Sequence, residues 1–175
     1  ETREFAMAAG RLGGAAVFDL VPKDLWEDEQ FVATLVRSVP AALAHAAPSL
    51  RENGTFVLAA VVSNAAVLAF APPSLRFNVN LVKQAASKNA SVIMHAEPEL
   101  WADAEFVLEA FGRGWCSLEK AASCLLDDRD FVLKALQLNG EGLADLKPSF
   151  RADRELVKAV IELQPAALKH AVEDL

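Results

Sequence analysis

A 25-residue period constrains this chain more than any other feature. Cut into consecutive blocks, 1–25, 26–50, 51–75, 76–100, 101–125, 126–150 and 151–175, every block closes on a large apolar residue: Leu25, Leu50, Leu75, Leu100, Leu125, Phe150 and Leu175. The sixth and seventh places read Phe31-Val32, Phe56-Val57, Leu81-Val82, Phe106-Val107, Phe131-Val132 and Leu156-Val157. The eighteenth reads Phe18, Leu43, Leu68, Ile93, Leu118, Leu143 and Leu168, and the twenty-first Val21, Ala46, Ala71, Ala96, Ala121, Leu146 and Ala171. Repetition on this scale marks an array in which one supersecondary unit is copied along an axis.

Within a block the apolar places are 6, 7, 10 and 11, then 18, 21 and 25. These are helical intervals, not the strict alternation of a strand. The third place holds Asp28, Asn53, Asn78, Asp103, Asp128 and Asp153, residues that accept bonds from the orphan amides of a first helical turn. The first helix should stop near the fourteenth place, where Asn64, Asn89 and Asn139 recur, the last followed by Gly140, and where Pro40 and Pro165 come next. Asn and Gly tolerate a left-handed cap there. A shorter second helix follows, with Pro48, Pro73, Pro98 and Pro148 at its end or in the turn beyond. The expected fold is a single all-α domain over 1–175, an α-solenoid of about seven two-helix repeats. The first is irregular, because Phe5 sits one place early and "GRLGGAA" loosens its turn. One block cannot bury enough to offset the ordering of its own backbone, so stability must come from neighbours. Small residues at the tenth place, Ala60, Ala85, Ala110 and Ala135, suit close helix approach.

Composition narrows function only coarsely. At 53% hydrophobic and 23% charged the chain folds, and its net charge of −7 disfavours non-specific binding to a phosphate backbone. Two cysteines, Cys116 and Cys124, lack the spacing of a metal or redox motif and read as reduced, semi-buried thiols. The chain opens at Glu1 without a signal-peptide pattern, so any targeting segment is expected to be removed or to lie outside it; an intracellular setting, organelles included, is the expectation.

Blocks such as "DDRDFVLKALQLNGEGLADLKPSF" and "ADRELVKAVIELQPAALKHAVEDL" resemble the tandem helical repeats of the family catalogued as domain of unknown function 4116. The resemblance covers essentially the whole chain, strongest over 101–175 and weakest over 1–25. It implies a tandem helical fold and supplies no catalytic residue set. The family occurs largely in single-celled eukaryotes, algae among them; should the source be an alga, that distribution points to an organelle assembly such as a photosystem.

The candidate sites are weighed against this background. His45, His95 and His170 share the twentieth place, but helix pairs about 10 Å apart put His45 and His95 far beyond the roughly 2 Å ligand distance of zinc. They are expected to be surface or groove-lining, and no metal or cofactor is expected. Asn64, Asn89 and Asn139 with Gln164 form a ladder that could read bases, though helix capping is the simpler expectation. Arg51, Arg76 and Arg151 open their blocks and could track phosphates; Trp26, Trp101 and Leu126 interrupt the row, and solvated turn residues are expected. Trp26, Trp101 and Trp115 replace residues of other types in turn rows and are either partner anchors or core plugs. No catalytic constellation is recognisable.

The stretch Ser38 to Leu50 carries no charge, nor does anything between Glu52 and Arg76. "FVLAAVVSNAAVLAFA" at 56–71 is too short and too broken for a membrane span. Instead Ala41, Ala44, Ala66, Ala69, Phe70 and Met94 are expected to present an uncharged face to another protein. The expected function is a non-catalytic scaffold or accessory subunit bound to other protein subunits, membrane complexes included. An RNA-binding array, or an accessory module of an enzyme whose catalytic domain lies elsewhere, are the alternatives.

Overall fold

The structure, a computed structural model, describes Glu4, Ala8 and residues 18–171. The irregular first block therefore lies largely outside the described residues. From Lys23 onward the chain is a tandem helical repeat, with no strand among the described residues.

Six long helices mark the period: α1 (Glu29–Ser38), α2 (Gly54–Ser63), α3 (Val79–Lys88), α4 (Ala104–Gly112), α5 (Arg129–Leu138) and α6 (Arg154–Leu163). All six begin as the sequence predicts. Asp28 accepts from the Phe31 amide at 2.9 Å, Asn53 from Thr55 and Phe56, Asn78 from Leu81, Asp103 from Phe106, Asp128 from Asp130 and Phe131, and Asp153 from Leu156 at 3.0 Å. Each bond satisfies a donor that the first turn leaves without an intrahelical acceptor.

The second helix is a 3-10 helix rather than an α-helix, and a further helical turn of four or five residues follows it. The 3-10 helices are η1 (Pro40–His45), η2 (Ala65–Phe70), η3 (Ala90–His95), η4 (Leu118–Lys120), η5 (Gly140–Asp145) and η6 (Pro165–His170). Their type follows from spacing: the apolar eighteenth and twenty-first places are three apart, and three residues per turn bring them onto one side. The prolines open segments instead of closing them. Pro40 and Pro165 start 3-10 helices, while Pro48, Pro73, Pro98 and Pro148 start the short turns. At that position a missing N–H costs nothing and the fixed φ is already helical.

The chain divides into two compact units, residues 1–97 and 98–175. In the first, α1 packs on α2 and α2 on α3, while η1, η2 and η3 pack side by side. In the second, α4, α5 and α6 make one layer and η4, η5 and η6 the other. The apolar rows meet between the layers. All twelve residues at the sixth and seventh places from Phe31 to Val157 are buried, as are Ala60, Ala85, Ala110 and Ala135, and no described polar or charged residue is buried with them.

The fifth repeat departs from the pattern. Gly114 is the one described residue with positive φ, at 71°. The Trp115 amide bonds the Ala110 carbonyl at 2.8 Å and the Gly114 amide that of Phe111 at 2.9 Å. This pair of bonds is a Schellman cap, which requires the left-handed residue that glycine supplies without strain. It shortens the 3-10 helix of that repeat to Leu118–Lys120.

Candidate interaction surface

In η1 to η5 the eighteenth place is buried, while the sixteenth, nineteenth and twentieth are at least partly exposed; in η6 the eighteenth, Leu168, is itself exposed. Over η1 to η3 the outward row is uncharged: Ala41 and Ala66 are half-buried, Ala44, Ala69, His45 and His95 exposed, Phe70 41% exposed and Met94 65% exposed. The equivalent places in the second unit carry Glu119, Lys120, Glu141, Asp145 and Lys169. Glu141 links neighbouring repeats, since Lys169 and His170 each lie 3.0 Å from one of its carboxylate oxygens. Those two contacts, His170 first, hold the Glu141 carboxyl below its usual range. One face thus occurs in an apolar and a charged version.

The three tryptophans separate. Trp26 is 7% exposed, edge-on to Phe18 and Phe31 at ring distances of 5.5 and 5.8 Å, so it is a core plug, not a surface anchor. Trp101 is half-buried and edge-on to Phe106 at 5.5 Å. Trp115 is half-buried, with the Arg113 guanidinium 5.2 Å from its ring centre. Trp26 and His45 also line a cleft of ≈ 440 Å³ together with Lys23 and Arg51.

The asparagine row caps in a different manner from the one expected. Asn64, Asn89 and Asn139 have extended backbones, with φ of −149°, −144° and −153°, and their side chains cap the start of the 3-10 helix by accepting from Ala66, Ser91 and Glu141. The same side chains also tie repeats together. The Asn64 amide donates to the Arg37 carbonyl at 2.9 Å, that of Asn89 to Val62 at 3.0 Å, and that of Gln164 to Gln137 at 3.4 Å. Gly140 is not a left-handed cap; a Cβ there would stand 3.0 Å from Ala167 and from the Gln164 side chain.

The arginine row is half-buried rather than solvated. Arg51 and Arg76 donate to the Ala44 and Ala69 carbonyls at 3.1 and 3.4 Å, and Arg76 pairs with Glu97 at 3.1 Å. These guanidiniums satisfy the carbonyls that end a 3-10 helix. Cys116 is half-buried and Cys124 exposed, both free thiols. Among the described residues no group of three or more His, Cys, Asp or Glu is placed to hold a metal ion, and no helix is long and apolar enough to cross a membrane.

Several contacts were not anticipated from the sequence. The Leu118 amide donates to Asp145 at 2.9 Å, a bond between adjacent repeats. Phe77, Leu138, Leu163 and Leu168 are exposed. The Leu138 and Leu163 signal was present in the sequence, since other repeats place Ser38, Ser63, Lys88 and Arg113 at that outward position.

A family model described as a domain of unknown function (DUF4116) matches residues 53–101, 103–151 and 128–175. The chain belongs to the DUF4116 family. The last two matches start at 103 and 128, one 25-residue period apart, so each DUF4116 match spans about two of the repeats described above. Comparison with curated proteins and with solved structures gave no match.

Proposed function

We propose that this DUF4116 chain is a non-catalytic protein-binding module, a scaffold or accessory subunit of a larger complex, and that its partner seats on the outward row of η1 to η3. One observation carries the reading: Phe70 and Met94 stand 41% and 65% exposed among alanines, in a row without formal charge. Contiguous apolar surface of this kind is costly to leave in water and is what a protein partner covers. The RNA-reading alternative has no comparable support, because Asn64, Asn89, Arg51 and Arg76 already bond backbone carbonyls.

The test is a paired substitution, Phe70→Glu with Met94→Glu, in chain recovered from its native extract by affinity and size exclusion. Both sites are exposed, so the melting temperature should stay within about 2 °C of the parent. The co-eluting protein should be lost. Retention of the same partner at the same stoichiometry removes the proposal.

A further inference from the structure

The last described repeat ends in an apolar edge whose natural cover is visible elsewhere in the chain. At the eighteenth place Leu43 and Leu68 in the first unit, and Leu118 and Leu143 in the second, are all 0% exposed, each in a 3-10 helix packed against the next. Leu168 occupies that place in η6 and is 58% exposed. The eleventh place behaves in the same way: Val36, Val61 and Leu136 are 0% exposed, whereas Ile161 is only half-buried.

The chemistry of the cover can be read from pairs already in place. A following repeat sets its seventeenth place against the eleventh, and where the eleventh-place residue is large the seventeenth is small, as Gly142 lies against Phe111 and Leu118. It also sends an amide from its fourteenth place to the carbonyl at the twelfth place of the preceding helix, as Asn64 does to Arg37 and Gln164 to Gln137. The next carbonyl in that series belongs to Glu162, and no side-chain amide reaches it among the described residues.

We propose that the Ile161–Leu168 edge is a docking site for one further helical repeat of this same class, bearing an amide side chain and, three places later, a small residue. It involves none of the residues of the η1 to η3 face.

The test extends the full chain after Leu175 by a second copy of residues 151–175, which keeps the period and presents Gln and Ala at the two recognition places. Amide exchange over 161–171 should slow by at least about tenfold as the edge is covered. The melting temperature should rise by about 2–4 °C. Leu168→Glu should cancel both gains in the extended chain yet shift the parent by less than about 2 °C. Phe70→Glu serves as a control that leaves both gains intact. Unchanged exchange on extension overturns the proposal, and so does an equal effect of Leu168→Glu with and without the added repeat.

Discussion

A Cβ on Gly142 would stand 2.5 Å from Cζ of Phe111 and 2.8 Å from Cδ1 of Leu118, so the glycine is the space that the phenylalanine ring fills. The two belong to neighbouring repeats, at the eleventh place of one and the seventeenth of the next. Elsewhere the same two places hold Val36 with Val67, Val61 with Val92, and Leu136 with Ala167. Volume given to one member is taken from the other, as a close-packed layer requires.

Gly142→Ala should therefore destabilise the chain by about 1–3 kcal/mol through overpacking, even though the backbone there is not left-handed. Phe111→Leu should recover much of that loss in the double variant while costing about 1 kcal/mol on its own. Urea denaturation of the four-member cycle checks the coupling. Additive effects would mean that the two side chains do not compete for the same volume.

The amide bridges make a second prediction, because an asparagine both caps and donates whereas an aspartate only caps. Asn64→Asp keeps the acceptor for Ala66 but turns an oxygen toward the Arg37 carbonyl, which the Asn64 amide now contacts at 2.9 Å. The expected cost is about 1–2 kcal/mol. At Asn139 the side chain's bond is the cap to Glu141, so Asn139→Asp should cost under about 0.5 kcal/mol. Chemical denaturation of the two variants at neutral pH distinguishes them.

Periodicity made most of the fold legible. Phe31, Phe56 and Phe106 could be placed in the core from spacing alone, and Asp28 through Asp153 at helix starts, because a repeated position tests each assignment against five others. The 3-10 character was harder to foresee, since an interval of three between Leu43 and Ala46 fits α and 3-10 helices alike. The role of Asn64 was half legible: its place at a helix end followed from spacing, but its bond to Arg37 depends on how repeats lie beside each other. Trp26 and Met94 show the limit of reasoning by row. Both break their rows in sequence, yet one is 7% exposed and the other 65%, and only the packing of Phe18 and Phe31 around the indole decides between them.

Asp153 gives a pH-dependent prediction. It accepts the Leu156 amide and pairs with Arg129 at 2.9 Å, and the amide bond, followed by that charge, holds its carboxyl below its ordinary value of 3.8. A depressed folded value means that the contribution to stability is fully present above the unfolded value and is lost as pH falls through the folded one. Asp153→Asn retains a cap of the kind that Asn53 and Asn78 provide, so at pH 7 it should cost under about 1 kcal/mol. That difference from the parent should vanish as pH drops well below 3.8. Asp153→Ala also loses the cap and should cost about 1 kcal/mol more. Denaturant titrations from pH 7 down to the acid limit of folding provide the check, and a parent–Asn difference that persists in acid would separate the effect from the carboxylate.

The two thiols should differ sharply in reactivity. Burial pushes the Cys116 thiol up to about 11, with Asp145 adding to the rise and Lys120 opposing it. At pH 8 roughly 0.1% of such a thiol is thiolate, the form that attacks an alkylating agent. Cys124 lies exposed in the turn Ser123–Leu126. Iodoacetamide at pH 8 should therefore modify Cys124 at least about tenfold faster than Cys116, read by peptide mass spectrometry over time. Asp145 is held in place by the Leu118 amide, and Asp145→Asn preserves an acceptor for that bond while removing the charge. The variant should accelerate Cys116 alone, because only that thiolate loses a neighbouring anion. Equal acceleration of both cysteines would instead indicate that the substitution had loosened the packing between η4 and η5.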